Sequence, residues 1–309
     1  MLTKKAVFAA KIEATPGTAE SLGNSEGAFN AMQLNLEPTT ELIKRESQGA
    51  FARKKAITGG HRGTYSFRTD LSWDGTATLP SWVTTLLAAC GWVNSSGTVT
   101  PRTESPGSNV KTVTLGKYID GVYEKLVGCM GTAKIMLETG RPSFIDWTFE
   151  GKWAAATDAA VIAPTYPTVH PIKYASATTT FNSVALCLSR MTIDLGNKLY
   201  LQECASDATG YSFTVITDRE PTVSADPDSK LVATQDRYGI LHASTEAELS
   251  ITLAGFATDA TIEFSAPKAQ LMSVKRGDRE GLSIDNLVFA CNENTTVDQE
   301  LIMTFEEAT

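Results

Sequence analysis

Apolar and polar residues alternate with a period of two through much of this chain, the spacing of half-buried β-strands and not of helices. The longest such stretch is VGCMGTAKIMLETGRPSFIDWTFEGKW, from Val127 to Trp153. In its second run Ile145, Trp147 and Phe149 fall on one side, and Asp146, Thr148 and Glu150 on the other. The first run sets Ile135 and Leu137 together. Between the runs, Gly140-Arg141-Pro142 joins a residue tolerant of positive φ to one whose φ is fixed, which predicts a tight reversal. The stretch therefore predicts a β-hairpin with one apolar face, and it contains no catalytic pattern.

The same alternation recurs along the sequence. Met32, Leu34 and Leu36 form a short run that Pro38 is expected to end, and Tyr65, Phe67 and Leu71 form another. Met191, Ile193 and Leu195 alternate, Leu199 and Leu201 follow a Gly196-Asn197 turn, and Tyr211, Phe213 and Val215 continue the pattern. Leu249, Ile251 and Leu253; Ile262 and Phe264; Leu282 and Ile284; Leu287 and Phe289; and Leu301, Met303 and Phe305 complete it. LPSWVTTLLAACGW, Leu79 to Trp92, predicts a helix, with Pro80 suited to a first turn, Gly91 to the end, and Trp82, Leu86 and Ala89 on one face. Residues 1–28, without an amphipathic period and with turns at Thr15-Pro16-Gly17 and Gly23-Asn24-Ser25, read as an extended arm; 94–109, rich in Ser, Gly, Thr and Pro, as a surface loop; 154–180, rich in Ala, Thr and Pro, as a connector; and 218–235, with its prolines and aspartates, as a loop. Many short strands with one flanking helix predict an all-β fold, a β-sandwich or barrel-like sheet. Strand, loop and paired long strands recur in both halves, so the expected division is 29–155 and 156–309, two similar sandwich units or one composite domain.

Composition narrows the function. The chain has 309 residues, enough for a core that needs no disulfides. Its five cysteines lack paired-thiol or zinc spacing. The N-terminus has only a short apolar patch, interrupted by Lys11 and Glu13, and no run approaches a membrane span, so a soluble cytosolic product is expected. A net charge of −8, from 35 acidic and 27 basic residues, argues against a broad grip on nucleic-acid phosphates. The three histidines, His61, His170 and His242, are isolated, and neither a serine-nucleophile elbow nor a phosphate-binding glycine loop is present. Asp146 and Glu150 would lie roughly 13 Å apart on a strand, which makes a poor glycosidase pair. Asp226-Pro227-Asp228 lacks the ligand alternation and glycine of a calcium loop. No cofactor or metal is expected.

The basic stretch Lys44 to Arg62 holds Arg45, Arg53, Lys54, Lys55 and His61. As a long loop it is either a solvated connector or an arm that docks on an acidic neighbouring subunit.

FAAKIEATPGT, RESQG, the 127–153 hairpin and LSRMTIDLGNKLYLQECASDATGYSFTVITDREPT together resemble the tail tube proteins of long-tailed bacteriophages. The resemblance implies a β-sandwich with a flanking helix, assembled as a virion protein into stacked rings around a channel for the genome. Six single-unit or three double-unit chains would form each ring, and the length favours three. Lys4 to Gly17, including Lys4, Lys5, Lys11 and Glu13, and Glu46 to Gly60 would bridge rings or subunits, with Arg45, Arg53, Lys54, Lys55, His61 and Arg62 as contact candidates. Partners would be further copies of the chain and the tape measure, terminator and distal tail proteins. Double-stranded DNA would pass without specific binding, and Asp146, Glu150 and Asp194 are candidates to face the lumen. The alternative function is a carbohydrate-binding sandwich with Trp73, Trp92 and Trp153 as stacking platforms.

Overall fold

The computed structural model describes residues 2–49, 51–103, 110–255 and 260–307. A helical turn, Thr3–Lys5, leads into β1 (Ala6–Ile12), followed by β2 (Ala31–Arg45) and β3 (Lys54–Asp70). Two helical turns, Trp82–Leu87 and Ala88–Cys90, precede β4 (Trp92–Ser95), β5 (Thr98–Pro101), β6 (Val113–Ile119), β7 (Val122–Glu138) and β8 (Phe144–Asp158). After the connector come β9 (Thr178–Phe181), β10 (Val184–Ala185), β11 (Leu188–Asp194), β12 (Asn197–Glu203), β13 (Tyr211–Arg219) and β14 (Thr222–Pro227). A short helix α1 (Arg237–His242), β15 (Glu246–Ala254), β16 (Thr261–Arg279), β17 (Leu282–Cys291) and β18 (Ile302–Glu306) complete the chain.

The all-β expectation holds. One antiparallel path runs β10-β9-β15-β16-β17-β14-β11-β7-β8-β3-β2, with β1, β6, β4, β5 and β18 attached as branches, and β12–β13 forms a separate hairpin. β11 pairs with β7, which joins the later strands to the earlier ones without a break. Two strands change partners part-way. β7 pairs β6 through residues 122–129 and β11 through 134–138, with a register shift after Val127. β16 pairs β18 through 261–265 and β17 through 269–279, with Pro267 between the two segments. Such breaks let a strand leave one layer and enter another.

The layers enclose a large hydrophobic cluster that includes Phe8, Tyr65, Phe67, Trp147, Phe149, Met191, Phe264, Phe289 and Met303, and a small second one forms around Ala9, Leu22 and Tyr118. In the 127–153 hairpin, Ile135 faces Ile145 and Gly131 faces Phe149. A Cβ on Gly131 would stand 2.5 Å from the Phe149 ring, so this position has no room for a side chain. Gly140 makes the turn at φ +79°. The expected helix is present as the wide turn 82–87 followed by the tighter turn 88–90, ended by Gly91 at φ +79°, with Trp82, Leu86 and Ala89 all buried. Asn197 ties that segment to the sheet, its amide donating to the carbonyls of Cys90 and Gly131 at 2.9 Å each.

Several expectations change. Residues 6–12 are not a detached arm: β1 pairs with β6 and buries Phe8, Ala9 and Ala10. Pro38 does not end β2, because among the described residues β2 is bonded only along its β3 side and an outer strand tolerates a missing N–H. Gln33, at φ +55°, bulges β2 and turns Met32 outward while Leu34 and Leu36 still pack on the core. The stretch 218–235 contains β14, which lies in the middle of the sheet between β11 and β17. Residues 94–101 of that expected loop belong to the β4–β5 hairpin, and 104–109 lie outside the described residues.

Candidate assembly surface

The hairpin β2–β3 begins as part of the body and ends outside it. Near its base Tyr65 and Phe67 are buried against Phe8. Toward its tip the hairpin carries further apolar side chains with no core to receive them: Leu42 is 61% exposed, Ile43 and Ile57 about half exposed, and Phe51 fully so. The basic stretch is therefore mostly ladder and not loop, with Arg45 paired to Lys54 in register and only 46–53 between the strands. Ala50 lies outside the described residues. Lys44, Arg45, Arg53, Lys54 and Lys55 form no ion pair among the described residues. A tip that joins exposed apolar side chains to unpaired cations has the chemistry of a contact surface.

His61 and Arg62 sit where this hairpin leaves the body. The His61 amide donates to the Thr209 carbonyl at 3.1 Å, its Nδ1 lies 3.0 Å from Thr40 Oγ1, and its ring stands edge-on to Trp153. Arg62 reaches Glu150 at 4.0 Å. Burial raises the Glu150 carboxyl above its ordinary range, and Arg62 opposes that shift.

The N-terminal candidates are held within the chain. Lys5 pairs with Asp120 at 3.5 Å and Lys11 with Glu20 at 3.0 Å, while Lys4 remains exposed in the first helical turn. Glu13 is buried. Its carboxylate accepts from Gly17 N–H, Thr112 Oγ1, Thr114 Oγ1 and Gly128 N–H at 2.6–2.7 Å. Four short bonds offset the cost of removing the charge from water, so Glu13 fastens the first segment to β6 and to the β7 bulge. It is not an exposed contact in the single chain. Three of its four partners, Thr112, Thr114 and Gly128, lie about a hundred positions or more away, and nothing local in the sequence announces them.

The three acids expected to face a lumen lie on the polar side of the sheet, each beside a cation. In one cross-strand row Arg68 opposes Asp146, Asp146 opposes Lys134, and Lys134 opposes Asp194. Arg68 grips Asp146 with two bonds of 2.6 and 2.9 Å, and Lys134 reaches Asp194 at 2.9 Å. Arg68 and Lys134 were missed in the sequence. Their signal is cross-strand, an opposite charge at matching register, and it becomes readable only once the pairing is known.

No match was found among curated proteins. The family model described as phage tail tube protein matches residues 3–286, nearly the whole length. The chain belongs to the phage tail tube protein family. The matched region contains β1, the whole β2–β3 hairpin and the Arg68–Asp194 row. In this tail tube protein Trp73 and Trp92 are 1% and 2% exposed and Trp153 is half-buried, so the first two cannot serve as glycan platforms. Among the described residues no helix is long and apolar enough to cross a membrane, and no three His, Cys, Asp or Glu side chains gather to hold a metal ion.

Proposed function

We propose that this tail tube protein is a non-catalytic virion component that closes into rings and stacks them into a tube for genome passage. The observation that carries the reading is the β2–β3 hairpin, whose outer half displays apolar and cationic side chains that the chain itself does not cover. A strand bonded on one side only is normally shortened or shielded. β2 runs from Ala31 to Arg45 with such a side, carrying a bulge and Pro38 that discourage promiscuous pairing while leaving room for a specific partner. Sister copies supply that partner, from the residue 46–60 segment and from the exposed Lys4 and Lys5 turn.

The partner change within β7 and the similar change within β16 support two related units per chain, and hence three chains per ring over six. If the polar face of β8 and β11 lines the channel, its acids arrive already matched by Arg62, Arg68 and Lys134. A charge-balanced wall beneath a net charge of −8 gives DNA phosphates little to hold. Tape measure, terminator and distal tail proteins are the other partners of this reading, and synthesis occurs in the host cytoplasm before assembly into the tail. Negative-stain microscopy of the concentrated full chain tests it. Rings or tubes are expected, and a chain that remains monomeric alone and with other tail components would overturn it.

A further inference from the structure

At the base of the β2–β3 ladder lies a cavity of about 210 Å³. Phe29, Leu79, Pro80, Trp82 and Pro167 supply apolar walls, and Asp70, the last residue of β3, stands at its side. Its second acid, Asp74, is already engaged by the amide and hydroxyl of Thr76. Among the described residues no lysine or arginine lines the cavity. Burial raises the Asp70 carboxyl, against a hydrogen bond from Asn30 and the weaker influence of His170. An apolar chamber flanked by a carboxylate whose one basic neighbour, His170, acts on it only weakly fits a long aliphatic stem with a cationic head, or an apolar side chain adjoining one.

This chain carries that chemistry at the opposite end of the same ladder, where Phe51, Ile57, Arg53, Lys54 and Lys55 are exposed. From Lys54 to Asp70 β3 extends about 50 Å, so the tip cannot return to its own base. We propose that the cavity beside Asp70 receives the basic, apolar hairpin tip of a second copy stacked head to tail. The pairing joins two different patches of one chain, which makes it heterologous and open-ended, as a growing stack requires. It rests on the self-assembly reading and adds the receiving site and the charge that selects the tip.

The test uses the full chain with the photoreactive residue p-benzoylphenylalanine at position 51, assembled from isotopically light and heavy copies and irradiated. Light–heavy adducts are expected within residues 28–30, 69–82 or 167–169, the segments that line the cavity. Adducts confined to other segments of an assembled sample would overturn the cavity assignment and leave the ring reading standing, whereas a chain that never associates removes both. Independently, Asp70→Lys should raise the concentration for half-assembly about tenfold or more, and adding Arg53→Glu and Lys54→Glu to it should recover part of that loss. Unchanged assembly by folded Asp70→Lys protein would overturn the proposal.

Discussion

Two long antiparallel hairpins obey the same alternation and meet opposite fates. In β7–β8 one face enters the core, with Ile135, Leu137, Ile145, Trp147 and Phe149 all at most 2% exposed, while Met136 and Phe144 pair on the other, polar face. In β2–β3 the rule is satisfied near Tyr65 and Phe67, and beyond the body Leu42, Ile43, Phe51 and Ile57 are left half to fully exposed. Alternation specifies a sheet, but it does not say whose core the apolar face will enter. Where the chain cannot cover a face that its own pattern creates, the missing cover is sought in another molecule.

The contrast can be broken at five points. Phe149→Ala empties a site packed by Phe67, Trp147 and the bare Gly131 backbone, and should lower unfolding free energy by about 3–5 kcal/mol in chemical denaturation. Glu13→Ala leaves four donors without their acceptor and should cost about 2–3 kcal/mol, with hydrogen exchange rising first in β1 and at Gly128. Both changes strike the body and should lower stability whether or not the chain assembles.

The third point is acid stability. Burial tends to raise the Asp207 carboxyl, but hydrogen bonds from Lys152 and from the Thr209 side chain and amide bring it down to about 2. A carboxylate depressed in the folded state contributes stability that is complete above its unfolded pKa of about 4 and fades as pH falls toward the folded value. Asp207→Asn should therefore flatten the loss of stability between about pH 4 and pH 2, measured by melting temperature against pH, and bring the variant and the parent together at the acid end. Asp146→Asn breaks a partly exposed pair with Arg68 and should cost at most about 1 kcal/mol. Ile57→Ser should leave the stability of the single chain within about 0.5 kcal/mol, because its side chain rests in solvent.

The sequence was most legible where local pattern and burial agree. The 127–153 hairpin, the 191–195, 249–253 and 301–305 strands and the 79–92 helical segment were all visible, because each has an uninterrupted apolar set entering one core. It was least legible where a long-range contact overrides a local signal. Pro38 and Pro267 look like stops, yet one lies on an outer strand and the other at a change of partner. β14 is flanked by prolines and aspartates, and only Val223 and Ala225 betray it. β1 looked like an arm because its core partners come from β6 and from Phe29 and Tyr65. The contact candidates divide in the same way. The cations at the hairpin tip form no ion pair among the described residues, as an exposed surface requires, but Arg62 meets Glu150, Glu13 is internal, and Asp146 and Asp194 are matched by cations that only strand register brings beside them.

The central claim is that the outer half of β2–β3 is left uncovered by its own chain because sister copies cover it. The most direct test compares the parent chain with a Leu42→Ser, Ile43→Ser, Ile57→Ser variant by sedimentation velocity at concentrations where the parent forms rings or tubes. The account predicts that the variant keeps the parent's melting temperature and sediments as single chains. A variant that assembles as readily as the parent would contradict it.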